Sequence, residues 1–325
     1  MRNPRVSVCI PTFNRAALLQ RSIGSVLGQR FEDFELIVSD NGSSDDTERV
    51  AKSFSDDRLV YARNPSNLGI RGNWNRCLEL ARGEFVAILP DDDLMKPENL
   101  AEKVAVLDRD GDVGLVHSKY DLIDGDGKVV QQDTNWGHGP DRNSDAIDGP
   151  DITLIPMYNM LNTPTVVFRR ACYERLGGFS EGAGFAFDYE YWMRIAVYNK
   201  VAFLAKPLIQ WRIHAGAATS VHLGKNDVQK LRQVISAKRL LLAKHSHAIP
   251  ASVRKQMHKQ LRSVSLTSVE QLLEQGGAES EARSLLREMQ RTNAGFLWDR
   301  AVWKAWVKSA LTRENIDWLK RVSSF

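Results

Sequence analysis

Three consecutive aspartates, Asp91-Asp92-Asp93, follow directly on an apolar run, Phe85-Val86-Ala87-Ile88-Leu89-Pro90, that opens two residues after Gly83. A run this short, closed by glycine and proline, reads as a parallel strand buried on both faces. Three carboxylates at its C-terminal end repel one another unless a positive charge sits among them. A hard divalent cation, Mg²⁺ or Mn²⁺, suits that place, held by one or two carboxylates and completed by water and phosphate oxygens. Ligands of open α/β sheets bind beyond the carboxyl ends of the strands, which is where the triplet would stand. Taken alone, the triplet also reads as a solvated acidic turn ahead of the helix start at Pro97-Glu98.

The surrounding chain reads as alternating strands and helices. Strands are predicted at Val6–Ile10, Phe34–Val38, Leu59–Ala62, Val113–His117, Thr165–Arg170, Val201–Leu204 and Ile209–His214. Between them, Leu19, Ile23, Val26 and Leu27 recur at helical spacing, as do Leu100, Val104 and Leu107. Further helices are predicted over Thr47–Phe54, from about Asn73 to Ala81, over Ala171–Leu176, and from Asp188 with Trp192, Ile195 and Ala196 inward. This order predicts an α/β fold: a mixed, mostly parallel sheet with helices on both faces. Residues 124–163 are rich in Gly, Asp and Asn and read as a long lid or substrate-binding excursion.

If the sheet is parallel, Pro11-Thr12-Phe13-Asn14-Arg15, Asp40 and the triplet all face one crevice, each from the end of a different strand. Their convergence favours a nucleotide- and metal-binding site over chance surface loops. A sugar nucleotidyltransferase would need a glycine-rich phosphate loop after the first strand, and Pro11–Arg15 has no glycine. A catalytically silent nucleotide-sugar-binding protein is the remaining alternative, and the intact aspartates speak against it.

Several segments, in this order, strongly resemble the family 2 glycosyltransferases. They are Val6–Arg15, Ile37–Thr47, Asn67-Leu68-Gly69, Ala81–Phe85, Leu89–Asp93, and Gly177-Gly178-Phe179 leading to Phe187-Asp188-Tyr189-Glu190. The resemblance covers roughly residues 5–220 and implies a GT-A, Rossmann-like, nucleotide-sugar-binding fold and an inverting transfer. It implies that Asp40 accepts the imide N3–H of uracil or thymine, which favours UDP- or dTDP-sugars. It places Pro11, Thr12, Asn14 and Arg15 at the rim of the base and ribose pocket, with Asn67 and Arg71 on the donor side. Asp91 then contacts the ribose, and Asp92, Asp93 and His214 are the candidate metal ligands. Pro90 stands where the family more often has a further aspartate, which leaves the division of roles among the three open. Asp188 is the implied general base, with Phe187 replacing the family's usual first acid. Its position at a helix start also reads as an N-cap, and the two roles are compatible.

The formal net charge of +4 conceals an uneven distribution. Residues 225–325 carry 19 Lys/Arg against 9 Asp/Glu, whereas residues 1–224 carry 25 against 31. Two domains are therefore expected: a catalytic domain over 1–224 and a basic helical region over 225–325. The basic region holds Trp298, Trp303, Trp306 and Trp318 among Lys304, Lys308, Arg313, Lys320 and Arg321. Two readings follow: a peripheral membrane contact on anionic lipid, consistent with a lipid-linked acceptor, or packing of the tryptophans on the catalytic domain or on a second subunit of a homo-oligomer. No nucleic-acid-binding module is present, so nucleic acid is not an expected partner. Cys9, Cys77 and Cys172 form no C-x-x-C pair, and no leader-like segment precedes the first strand. A cytoplasmic location, peripheral on the inner face of the plasma membrane, is expected. The product would be a glycan or lipid-linked glycan of a bacterial cell surface.

Overall fold

The structure, a computed structural model, describes residues 3–134, 144–149, 161–217, 227–275 and 279–292, with 302, 304–306 and 309. The strands are β1 (Val6–Thr12), β2 (Phe34–Asp40), β3 (Leu59–Arg63), β4 (Phe85–Ile88), β5 (Leu94–Met95), β6 (Val113–Ile123), β7 (Val129–Thr134), β8 (Ala146–Asp148), β9 (Val167–Arg169) and β10 (Lys200–Arg212). They form one sheet in the order β3-β2-β1-β4-β9-β6-β10-β5, with β7 on β6 and β8 on β10. β3, β2, β1 and β4 pair in parallel, as do β6 and β10, and antiparallel β9 joins the two groups. This is the mixed, mostly parallel sheet expected from the sequence.

Period-two alternation divides the core into two layers. Val6, Val8 and Ile10 of β1 face one layer, with Leu19, Ile23 and Val26 of α1 (Ala16–Leu27) and Leu100, Val104 and Leu107 of α4 (Asn99–Arg109). Cys9, Ile37, Val86 and Ile88 face the other. That second layer is closed by α3 (Gly69–Leu80), α5 (Arg170–Leu176) and α6 (Phe187–Tyr198), which supply Cys77, Leu78, Cys172, Trp192 and Ile195. A short helix, α2 (Thr47–Lys52), lies between β2 and β3. All three cysteines are free and buried.

Some boundaries differ from the sequence reading. The two strands expected at 201–204 and 209–214 are one strand, β10, whose pairing with β6 shifts at Leu204, Pro207 and Ile209. Pro207 cannot donate to the ladder, so the strand bulges rather than ends. Helix α3 begins at Gly69, four residues before the expected start: Ile70 and Trp74 continue the apolar period of Cys77 and Leu78 back through a first turn whose two glycines, Gly69 and Gly72, are poor helix formers. Within the 124–163 excursion, β7 and β8 add edge strands, while 135–143 and 150–160 lie outside the described residues.

Helices α7 (Asp227–His245), α8 (Ala251–Gln275) and α9 (Glu279–Thr292) follow. Ile235, Ala237 and Leu241 of α7, and Val253, Met257 and Leu261 of α8, belong to the same buried cluster as Trp192 and Phe179. The end of α8, helix α9 and the later residues Val302 and Ala305 form a separate small cluster, with Val269, Leu272, Ala282, Leu285 and Leu286 buried in it and Trp306 packed against it. Trp298, Trp303 and Trp318 lie outside the described residues. Among the described residues, no helix is long and apolar enough to cross a membrane.

Candidate active site

Parallel pairing aligns the strand ends that carry the polar residues. Thr12 at the end of β1 is the register partner of Asp40 at the end of β2, and Asp40 that of Arg63 at the end of β3. Pro11 pairs with Ser39 one step earlier. Beyond β1 the chain turns through Asn14, whose φ of 54° is left-handed, a conformation asparagine tolerates better than most residues. Asn14 ties the β1 loop to the β2 loop: its N–H donates to Ser43 Oγ (2.9 Å), and its Oδ1 accepts the Ser44 N–H (2.8 Å).

Asp40 is fully buried. Its Oδ1 accepts the Ser43 N–H at 2.9 Å, and its Oδ2 accepts the Tyr61 hydroxyl at 2.6 Å and Arg63 Nη1 at 3.5 Å. The carboxylate therefore closes the turn after β2. Burial and this hydrogen bond push the Tyr61 hydroxyl upward, so it stays a donor. A carboxylate offers about four acceptor sites; three are taken, and one remains.

The triplet sits in the turn between β4 and β5, and its members diverge. Asp91 Oδ2 accepts the Thr12 hydroxyl at 2.7 Å, and Asp91 Oδ1 accepts Arg15 Nη1 at 3.1 Å. The same Nη1 reaches Asp92 Oδ2 at 2.9 Å, and Arg15 Nη2 donates to the Gly216 carbonyl. Asp92 Oδ2 also lies 3.1 Å from His214 Nε2. Asp93 turns the other way: its Oδ1 accepts the Arg212 N–H at 2.9 Å, while its buried Oδ2 has no partner. Burial, and then the Asp92 charge, push Asp91 up to about 6 against the opposing pull of Arg15 and Thr12. The same two causes push Asp93 well above the ordinary range. Burial disfavours the charge on Arg15, but Asp91 and Asp92 outweigh it and raise its pKa.

Asp92 and His214 are thus the carboxylate and imidazole whose ligating atoms converge. That donor set fits a divalent cation whose remaining positions go to water and phosphate oxygens. Among the described residues, no three His, Cys, Asp or Glu side chains form a coordinating cluster of their own.

Asp188 stands in the first turn of α6, two positions beyond the capping residue Ala186, so it is not the N-cap. Its Oδ2 accepts the Thr163 hydroxyl at 2.9 Å, and its Oδ1 the Tyr189 N–H at 2.7 Å. Burial raises its pKa despite those bonds. Glu190, next along, is locked in a buried pair with Arg194.

On the donor side, the exposed Asn67 accepts from Asn41 (2.9 Å) and from the Gly69 N–H (2.8 Å), at the edge of a network of buried asparagines, Asn41, Asn64 and Asn73. Asn75 holds both the N–H and the carbonyl of Phe179. Arg71 pairs with Glu181, 3.2 Å away in the turn before α6. Sequence reading missed Tyr61, Arg63, Thr163 and Arg212. Arg212 alone had a visible signal, standing at the end of β10 two residues before His214.

The model described as Glycosyl transferase family 2 matches residues 7–164. An uncharacterized protein of Mycobacterium tuberculosis is 31% identical over 229 residues, which span 67% of this chain and 70% of that one. The chain belongs to glycosyltransferase family 2. A GalNAc(5)-diNAcBac-PP-undecaprenol beta-1,3-glucosyltransferase of Campylobacter jejuni is 43% identical over 117 residues, 35% of this chain and 37% of that protein. Two solved structures show the same GT-A fold. TarS 1-349 of S. aureus in complex with UDP-GlcNAc matches with a TM-score of 0.60 at 17% identity, over 82% of this chain and 81% of that one. The mannosyltransferase PcManGT of Pyrobaculum calidifontis, in complex with GDP-Man and Mn2+, matches with a TM-score of 0.59 at 19% identity, over 95% and 85%. The matched family 2 segment ends before Asp188, Arg212 and His214.

Proposed function

We propose that this family 2 enzyme transfers a sugar, with inversion, from a UDP- or dTDP-sugar to a hydroxyl of a glycan or lipid-linked acceptor. One observation carries the reading: Thr12, Arg15, Asp91, Asp92 and His214 converge at the ends of β1 and β4. The acceptor class and a role in bacterial cell-surface glycan synthesis draw support from the C. jejuni relative, whose name gives an undecaprenol-linked acceptor.

Thr12 and Arg15 fix Asp91 at the ribose position. Asp40 offers its remaining acceptor site to the imide N3–H of the base. Asp92 and His214 would hold Mn²⁺ or Mg²⁺, which when bound neutralises the diphosphate as a leaving group. Asp188 takes the proton of the acceptor hydroxyl. That oxygen bonds to the anomeric carbon as the opposite carbon–phosphate oxygen bond breaks, and the nucleoside diphosphate leaves with the electron pair. A carboxyl raised by burial is a stronger base once ionised, which suits this task.

The test is Asp188→Asn. Donor binding by calorimetry should stay within about twofold of wild type, while transfer falls by roughly 10²–10⁴-fold. Transfer within tenfold of wild type would remove Asp188 from the role of base.

A further inference from the structure

The turn that delivers the chain into α6, Glu181–Ala186, is fitted to α7. Gly184 has φ 60° and ψ −136°. A Cβ there would lie 2.2 Å from Gln233 Oε1, so no other residue fits while that side chain holds its place. The same oxygen accepts the Phe185 N–H at 2.8 Å. Two residues earlier, a Cβ on Gly182 would lie 3.5 Å from both Leu240 methyl carbons. At the far end of α6, the Tyr198 hydroxyl meets His245 Nδ1 at 3.0 Å. Helix α7 therefore runs beside α6 in the same direction and grips it at both ends.

We propose that Gln233 is a positioning residue for the transfer step: by holding the Phe185 N–H, it fixes the turn that aims Asp188, and so makes α7 a wall of the active site. This rests on the reading of Asp188 as base. The bonds to Thr163 and to the Tyr189 N–H set the Asp188 rotamer, but the backbone of the turn sets where that rotamer points. Gly182 and Gly184 leave the turn little stiffness of its own. Misplacing a reacting group by about 1 Å costs on the order of 10²-fold in rate.

Two variants test this in the full chain. Gln233→Leu keeps the size and removes the acceptor; Gln233→Glu keeps an acceptor oxygen. Gln233→Leu should lower kcat by roughly 10–100-fold, with the UDP affinity measured with Mn²⁺ unchanged. Its acid limb should move to lower pH, because a slackened turn lets water reach Asp188 and relaxes a carboxyl now raised by burial. Gln233→Glu should recover most of the rate. Gly184→Ala, which displaces Gln233 from the other side, should reproduce the Gln233→Leu phenotype. A double-mutant cycle closes the argument: in the Asp188→Asn background, Gln233→Leu should cost little more. A full additional loss there overturns the proposal, as does wild-type kcat in Gln233→Leu, or a parallel fall of kcat and UDP affinity. An Asp188→Asn variant that keeps its rate fails the base reading itself, a distinct result.

Discussion

Replacing Glu190 by glutamine removes the charge that holds Arg194 inside the protein. The two side chains are 1% and 5% exposed, so solvent screens neither. Glu190 accepts Arg194 Nε at 3.0 Å and Nη2 at 2.9 Å. The rest of the guanidinium donates to the carbonyls of Leu176 (2.6 Å) and Gly178 (2.7 Å) and to Ser180 Oγ (3.2 Å). Removing one partner of such a pair costs about 3–5 kcal/mol, because the other is left charged and uncompensated. Glutamine keeps one acceptor oxygen, which favours the lower end. With an unfolding entropy of about 2.1 cal/mol/K per residue, a chain of 325 residues has roughly 0.7 kcal/mol/K at Tm. Glu190→Gln should therefore lower Tm by about 4–7 °C in scanning calorimetry. Both carboxylate oxygens are committed to Arg194, so transfer measured well below Tm should stay within tenfold of wild type. A Tm shift under about 1 °C would show that Arg194 does not depend on this charge. A 10²-fold or larger loss of transfer at unchanged Tm would make Glu190, rather than Asp188, the base.

Other consequences are as direct. Asp92→Asn should weaken Mn²⁺-dependent UDP binding at least tenfold, about 1.4 kcal/mol, by calorimetry; an unchanged metal dependence would move the ligand role to Asp91 or Asp93. UDP and dTDP should bind more tightly than GDP, since the free acceptor site of Asp40 suits an imide N–H; tighter GDP binding would refute that assignment. Ending the chain before Asp227 should give insoluble or unfolded protein, because the layer around Trp192 loses Ile235, Ala237 and Leu241. A truncated protein that melts at the wild-type temperature would refute the shared core.

Much of this was legible in the sequence, and for identifiable reasons. Val6, Val8 and Ile10 alternate against Cys9, and the Leu19–Ile23–Val26 stripe repeats at helical spacing, so pattern alone places β1, α1 and their layer. Strand ends announce themselves by carboxylates, which is why Asp40 and Asp91-Asp92-Asp93 stood out. What pattern could not give was direction. Asp93 differs from Asp92 only in which way its side chain leaves a tight turn, and β10, a distant partner, decides that. Thr163 and Gln233 act through single hydrogen bonds across 25 and 48 residues of chain, with no local periodicity to mark them. The tail shows the same limit. Charge set it apart as a second unit, whereas the burial of Ile235 and Leu241 joins α7 to the catalytic layers.

The order of strands also bears on how such an enzyme diversifies. Asp40 ends β2, and Thr163, the partner of Asp188, stands in the 3-10 turn just before β9; β1 and β4 lie between those strands. At about 4.8 Å per strand, the two ends of the site are some 14 Å apart across the sheet. Substitutions so separated are expected to add independently. On the proposed reading of Asp40 as the base contact and Asp188 as the base for the acceptor hydroxyl, choice of nucleotide and choice of acceptor would drift on separate schedules, and the sheet between them need not change.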